Sequence, residues 1–282
     1  MNRFVSWATV AVVMLSLANC TKPKPMPTEI TFIKDFNQAK AMALESRKPM
    51  IIDFYTDWCK WCKVLDTTTY VDSQVIVLSE DNIFVKINAE TDSLLAQSYG
   101  VEGYPTIVIT KSDGEQIDQI RGYVAPADFR NQVEAYLQGK GTLDDYLARI
   151  QNEPENLDYL MKISEKYTNR SEYDKALEYS RKVVELDPDN SKNHGLMAMA
   201  SISNIQGLAK DYTMAIETCK EIINRFPDSP EADDATAMLG YFTFKQGDPQ
   251  GALNFYRDYL AKYPQGRNGW VNARIADLEE LP

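Results

Sequence analysis

Asp53-Phe54-Tyr55-Thr56-Asp57-Trp58-Cys59-Lys60-Trp61-Cys62 is the stretch that decides how this chain is read. An apolar, β-type run from Pro49 to Tyr55 breaks at Thr56-Asp57, and two cysteines follow with two residues between them. On a helix that spacing sets the second sulfur about one turn beyond the first, near enough to close a small disulfide. A cysteine that starts a helix faces unpaired N–H groups and the positive end of the macrodipole. Its pKa then falls from about 8.5 toward 7 or below, which makes it a nucleophile at neutral pH. The same pair is also half of a zinc site. The other Cys and His residues, Cys20, His194 and Cys219, lie far off in sequence, so the redox reading is the stronger and no metal ligands are assigned.

Three segments, taken in order, resemble the thioredoxin family. Asp53, Phe54, Trp58, Cys59, Cys62 and Lys63 match its Asp-Phe-x-x-x-Trp-Cys-x-x-Cys-Lys; Val85-Lys86-Ile87-Asn88 is similar to the strand that carries its lysine; Tyr99 to Thr106 is similar to the segment that holds its cis-proline, here Pro105. The resemblance covers residues 30–139 and implies an α/β thioredoxin fold, a central mixed sheet flanked by helices. It implies that Cys59 attacks a substrate disulfide and Cys62 resolves the intermediate. Asp53 would lie buried behind the pair and accept the proton of Cys62, with Lys86 holding its charge. Trp58, Tyr104 and Pro105 would border the substrate, and no cofactor beyond the Cys59–Cys62 disulfide is implied. Blander readings stand beside these: Asp53 as a strand-end residue bonded to backbone, Trp58 as a packing residue, and Lys60 and Lys63 as a solvated helix start. Lys60-Trp61 replaces the family's usual Gly-Pro, a dipeptide that tunes redox potential. Within the family the chain looks nearer to periplasmic domains fed by membrane electron transporters. The implied partners are disulfide-containing client proteins and a membrane electron donor of the thiol:disulfide transporter type.

The amino terminus agrees with such a compartment. Residues 1–19 read as a signal peptide, with Arg3 ahead of a mostly apolar run from Phe4 to Ala18 that is shorter than the roughly 20 residues of a membrane span. Leu17-Ala18-Asn19-Cys20 resembles the lipobox of bacterial lipoproteins, which makes Cys20 the lipidation site and residues 20–29 a tether. An ordinary secretory signal or an uncleaved anchor is the alternative. The expected location is the bacterial cell envelope, facing the periplasm, with the outer membrane favoured because Thr21-Lys22 lacks an inner-membrane retention aspartate. With 41 acidic against 30 basic residues the net charge is −11, which argues against nucleic acid as a partner. Four cysteines, one of them assigned to lipid, are too few for a disulfide scaffold.

Strand signals vanish after residue 139. Ala176, Ala215 and Ala252 are each followed twelve residues later by a proline, Pro188, Pro227 and Pro264. This register resembles the tetratricopeptide pattern, in which small residues let paired helices approach and a proline ends the second. An all-α tetratricopeptide-like solenoid is therefore expected over residues 142–282, with an insertion near 207–211. Such arrays bind peptides or partner proteins. The repeats are expected to recruit clients to the thiol site; in the alternative, the chain is a binding scaffold whose redox domain is a regulatory or oxidising passenger. Cys219 reads as a buried, inert thiol rather than a third redox partner, and His194 as a junction residue with no metal.

Overall fold

The computed structural model of the chain describes residues 26–280. The signal peptide, Cys20 and its lipobox lie outside the described residues. Among the described residues, no helix is long and apolar enough to cross a membrane.

Four strands form one mixed sheet: β1 (Met50–Tyr55), β2 (Ile83–Asn88), β3 (Thr106–Thr110) and β4 (Gln116–Arg121), in the order β2-β1-β3-β4. β1 runs parallel to β2 and antiparallel to β3, and β4 returns antiparallel at the edge. The β3–β4 hairpin closes over Asp113-Gly114, with the Lys111 N–H donating to the Glu115 carbonyl at 2.8 Å. β1 is central and covered on both faces, which explains its unbroken apolar run. Alternation then sorts its side chains. Met50, Ile52 and Phe54 face α1 (Phe36–Ser46) and α4 (Ser93–Ser98), whereas Ile51 points toward α2 (Lys60–Thr68), α3 (Ser73–Ile76) and α5 (Pro126–Leu137). Asp53 shares the Ile51 face. A carboxylate is thereby delivered beneath the helix that carries the cysteines.

From residue 143 onward the described chain is helical: α6 (Leu143–Ile150), α7 (Leu157–Asn169), α8 (Tyr173–Leu186), α9 (Gly195–Leu208), α10 (Tyr212–Arg225), α11 (Pro230–Lys245), α12 (Pro249–Lys262) and α13 (Asn268–Glu279). Ala176, Ala215 and Ala252 are fully buried, as their register requires. Gly240 lets α11 and α12 touch, because a Cβ there would strike the Tyr256 ring. The insertion expected at 207–211 lies elsewhere: α9 continues through Leu208, and the long connection is 187–194. There the Asp187 carboxylate accepts from the N–H groups of Lys192, His194 and Gly195 at 2.8–2.9 Å. Such local bonding satisfies an irregular loop without altering the Ala–Pro spacing, so the spacing does not reveal it.

The edge of the sheet is not left open. The turn between α7 and α8 lies along β4, with Arg170 donating to the Ile117 carbonyl at 3.0 Å and Gln119 donating to the Asn169 carbonyl. Ser171 donates to the Gly100 carbonyl at 3.0 Å, and a Cβ at Gly100 would collide with the Arg170 backbone. Beneath this seam Lys166 of α7 pairs with Asp118 of β4 at 3.0 Å, both side chains buried. Covering an edge in this way removes a template for unwanted pairing and fixes the helical array against the sheet.

Candidate active site

Thr56-Asp57 ends β1, and the chain turns so that Cys59 becomes the N-cap of α2 with an extended backbone. Its Sγ accepts a hydrogen bond from the Cys62 N–H at 3.1 Å, the geometry that stabilises negative charge on sulfur. Cys59 and Cys62 are joined in a disulfide with their Cα atoms 5.4 Å apart, and both are nearly buried. Two aromatic pairs flank them. Trp58 meets Tyr104 edge-on at 5.9 Å, and Trp61 stacks on Tyr123 at 5.7 Å. Trp58 is 65 % exposed and Trp61 60 %, which excludes core packing as the reason for either. The Trp58 indole is held by donating to Glu90 at 3.0 Å. Tyr104 and Pro105 form the loop ahead of β3, joined by a cis peptide bond.

Behind the disulfide, Asp53 pairs in register with Lys86 of β2, and its Oδ2 lies 3.3 Å from the Lys86 ammonium. Neither carboxylate oxygen meets a donor in hydrogen-bond geometry, so the reading of Asp53 as a backbone-bonded strand residue fails. Burial drives its pKa from 3.8 up to about 6, against the opposing pull of Lys86. Sequence reasoning missed two neighbours. Asp66, one turn after Cys62 on α2, is also paired to Lys86 and shares its charge. Tyr70 is fully buried beside Asp53; burial, reinforced by that carboxylate, holds its hydroxyl well above the ordinary tyrosine range. Lys86 sits 5.2 Å from the ring centres of Phe32 and Tyr55 and 5.5 Å from that of Tyr70, within cation–π range of all three.

Replacing Asp53 with asparagine tests this arrangement through stability. The folded-state pKa lies above the unfolded 3.8, so the folded protein holds the extra proton between the two values. Stability therefore falls as pH rises through that window, and the full cost, about 3 kcal/mol, is present above pH 6. Asp53→Asn is expected to raise urea stability by up to about that amount near pH 8 and to lose the advantage near about pH 4. An advantage that is the same at both values would mean that Asp53 does not titrate in this way.

Cys219, the free cysteine among the described residues, is buried on α10, and burial pushes its thiol up to about 11. His194 pairs with Asp158 at 3.0 Å. Among the described residues no group of three or more acidic, His or Cys side chains is arranged to hold a metal ion.

A helix-capping cysteine, its disulfide partner and a buried carboxylate behind them on a mixed sheet define a thiol:disulfide oxidoreductase centre. The thioredoxin family model matches residues 29–135, and a model described as outer membrane lipoprotein matches residues 205–271. Thioredoxin 1 of Synechococcus elongatus is 31 % identical over 98 residues, 35 % of this chain and 89 % of that protein. The thiol:disulfide interchange protein DsbD of Vibrio vulnificus is 31 % identical over 121 residues, and the chain spans 20 % of its length. Among solved structures, a mutant thioredoxin from Halobacterium salinarum is 28 % identical, with 40 % of this chain and 95 % of that one covered at a TM-score of 0.33. The chain belongs to the thioredoxin family, and tetratricopeptide-like repeats follow its thioredoxin domain.

Proposed function

We propose that this protein is an envelope thiol:disulfide oxidoreductase that reduces disulfides in client proteins. The observation that carries the reading is the Cys59 sulfur at the N-cap of α2, with the Cys62 N–H directed at it. In the reduced enzyme the Cys59 thiolate attacks a client disulfide, forming a mixed disulfide and releasing one client thiolate. Cys62 then gives its proton to Asp53 and attacks the Cys59 sulfur, releasing the second client thiolate and restoring the Cys59–Cys62 disulfide. Two electrons pass to the client, and a protein dithiol must return them. Lys86 and Asp66 position and tune Asp53; Trp58, Tyr104 and Pro105 border the client, and the disulfide serves without an added cofactor.

The likeness to DsbD supports a membrane thiol:disulfide transporter as the electron donor. The lipobox at Cys20 and the match to an outer membrane lipoprotein model support a lipid-tethered, periplasm-facing location. The buried Lys166–Asp118 pair supports helical repeats that work with the redox domain, over a scaffold that merely carries it. Equilibrating the Cys59–Cys62 couple against defined thiol buffers tests the direction. A potential near thioredoxin's roughly −270 mV is expected; one near about −120 mV would make the protein an oxidant.

A further inference from the structure

The chain leaves α4 at Ser98, enters β3 at Thr106, and carries Tyr104-Pro105 at the end of the connection between them. Its own domain fixes the two ends of this loop. The Val101 N–H donates to the Ala96 carbonyl at 3.0 Å, and the Thr106 hydroxyl donates to the Gly103 carbonyl at 2.7 Å. The stretch between them faces outward and is flanked by glycines: Gly100 has a φ of 66°, and Glu102 and Gly103 are exposed.

Bonds from the helical array reach this stretch. Ser171, in the turn between α7 and α8, donates to the Gly100 carbonyl at 3.0 Å. Tyr173, the first residue of α8, donates its hydroxyl to the Glu102 carboxylate. Burial, reinforced by Glu102, raises that hydroxyl above the ordinary tyrosine range, so it keeps its proton and remains a donor. The turn is itself fixed to β4 through Arg170 and Gln119, which makes it an anchored support. Glycine has the most backbone freedom to lose, and ordering one residue costs about 1–2 kcal/mol. Bonds that hold the loop before a client arrives remove that cost from binding.

We propose that the repeats brace the redox loop, with Ser171 and Tyr173 as positioning residues that hold Gly100 and Glu102 and thereby fix Tyr104 against Trp58. The inference rests on the reductase reading, because the loop matters here as the part of the site that borders a client. The brace comes from the second half of the chain, so the thioredoxin domain is complete as a client-binding surface only with α7 and α8 in place. A peptide disulfide, whose flanking residues meet the loop, depends on the brace. A small disulfide with no flanking segment does not.

The test compares two substrates in the full chain, with dithiothreitol as reductant: a synthetic peptide closed by one disulfide, and a small aromatic disulfide. Tyr173→Phe keeps the ring and removes only the hydroxyl. It is expected to raise KM for the peptide about two- to tenfold, the worth of one hydrogen bond. The peptide kcat, the rate on the small disulfide and the equilibrium potential of Cys59–Cys62 should not move. Glu102→Ala should match it, Glu102→Gln should stay near the unmodified protein because an acceptor remains, and the double variant Glu102→Ala, Tyr173→Phe should be no worse than either single change. Circular dichroism and urea midpoints confirm that each variant is folded. An unchanged peptide KM in Tyr173→Phe, an equal loss on both substrates, or additive losses in the double variant overturns the proposal. Failure of the reductase reading looks different: the unmodified protein would then reduce neither substrate.

Discussion

Serine in place of Cys59 is expected to reduce the turnover of insulin disulfides to the rate of dithiothreitol alone, while serine in place of Cys62 halts the reaction at a covalent intermediate. The first outcome follows from the nucleophile: a serine hydroxyl is not ionised near neutral pH and cannot enter thiol–disulfide exchange. It does not follow from misfolding, since serine is among the best N-cap residues and can hold the start of α2 as Cys59 does. In Cys62→Ser the bond that steadies the Cys59 thiolate survives, because it comes from the backbone N–H of residue 62. Attack therefore proceeds, the resolving thiol is missing, and one client chain stays attached. Mass spectrometry of the quenched reaction is expected to show one adduct on Cys59 and none on Cys219, whose thiol is buried and pushed up to about 11. Turnover by Cys59→Ser, or an adduct on Cys219, would place the chemistry elsewhere.

The parts legible in the sequence are those set by short-range physics. The strand bounds at Met50–Tyr55 and Thr106–Thr110 coincide with apolar runs of the sequence, because a strand covered on both faces leaves little room for polar residues, whereas the mostly polar Gln116–Arg121 is marked by the Asp113-Gly114 turn before it. β2 is one residue longer at each end than the apolar run Phe84 to Ile87. Cys59 as a helix start is written in the Thr56-Asp57 break before it, and the fall of Ala176, Ala215 and Ala252 on buried contacts is written in their spacing. What escaped depends on how elements fold back. Asp66 looks like an ordinary exposed charge of α2 until β2 brings Lys86 beneath it. Tyr123 stands just past an edge strand, and nothing local says that Trp61 will stack on it. Asp118 reads as the solvent face of that strand, and Lys166 as a helical surface lysine; each is buried only by the other's element. The brace from Ser171 and Tyr173 onto Gly100 and Glu102 belongs to the same class, since it exists only where the two halves of the chain meet.

That junction carries the second large effect. Replacing Lys166 with methionine keeps the length and apolar stem of the side chain but removes the cation from Asp118, 3.0 Å away. The Asp118 carboxylate still accepts from the N–H groups of Gln119 and Leu143, at 2.7 and 3.0 Å. Those two bonds soften the loss without neutralising the charge. Breaking a buried pair from one side costs about 3–5 kcal/mol, and the two remaining donors put the expected loss near about 3 kcal/mol. The Tyr136 hydroxyl, to which Lys166 donates at 2.9 Å, loses its partner as well. Urea unfolding followed by circular dichroism reads the change as a lower midpoint. The double variant Asp118→Asn, Lys166→Met separates charge from the lost hydrogen bond: with no buried charge left, most of the lost stability should return. Equal instability in the single and double variants would assign the effect to the lost Tyr136 hydrogen bond rather than to an unpaired Asp118 charge. An unchanged midpoint in the single variant would mean that the pair does not hold the helical array to β4.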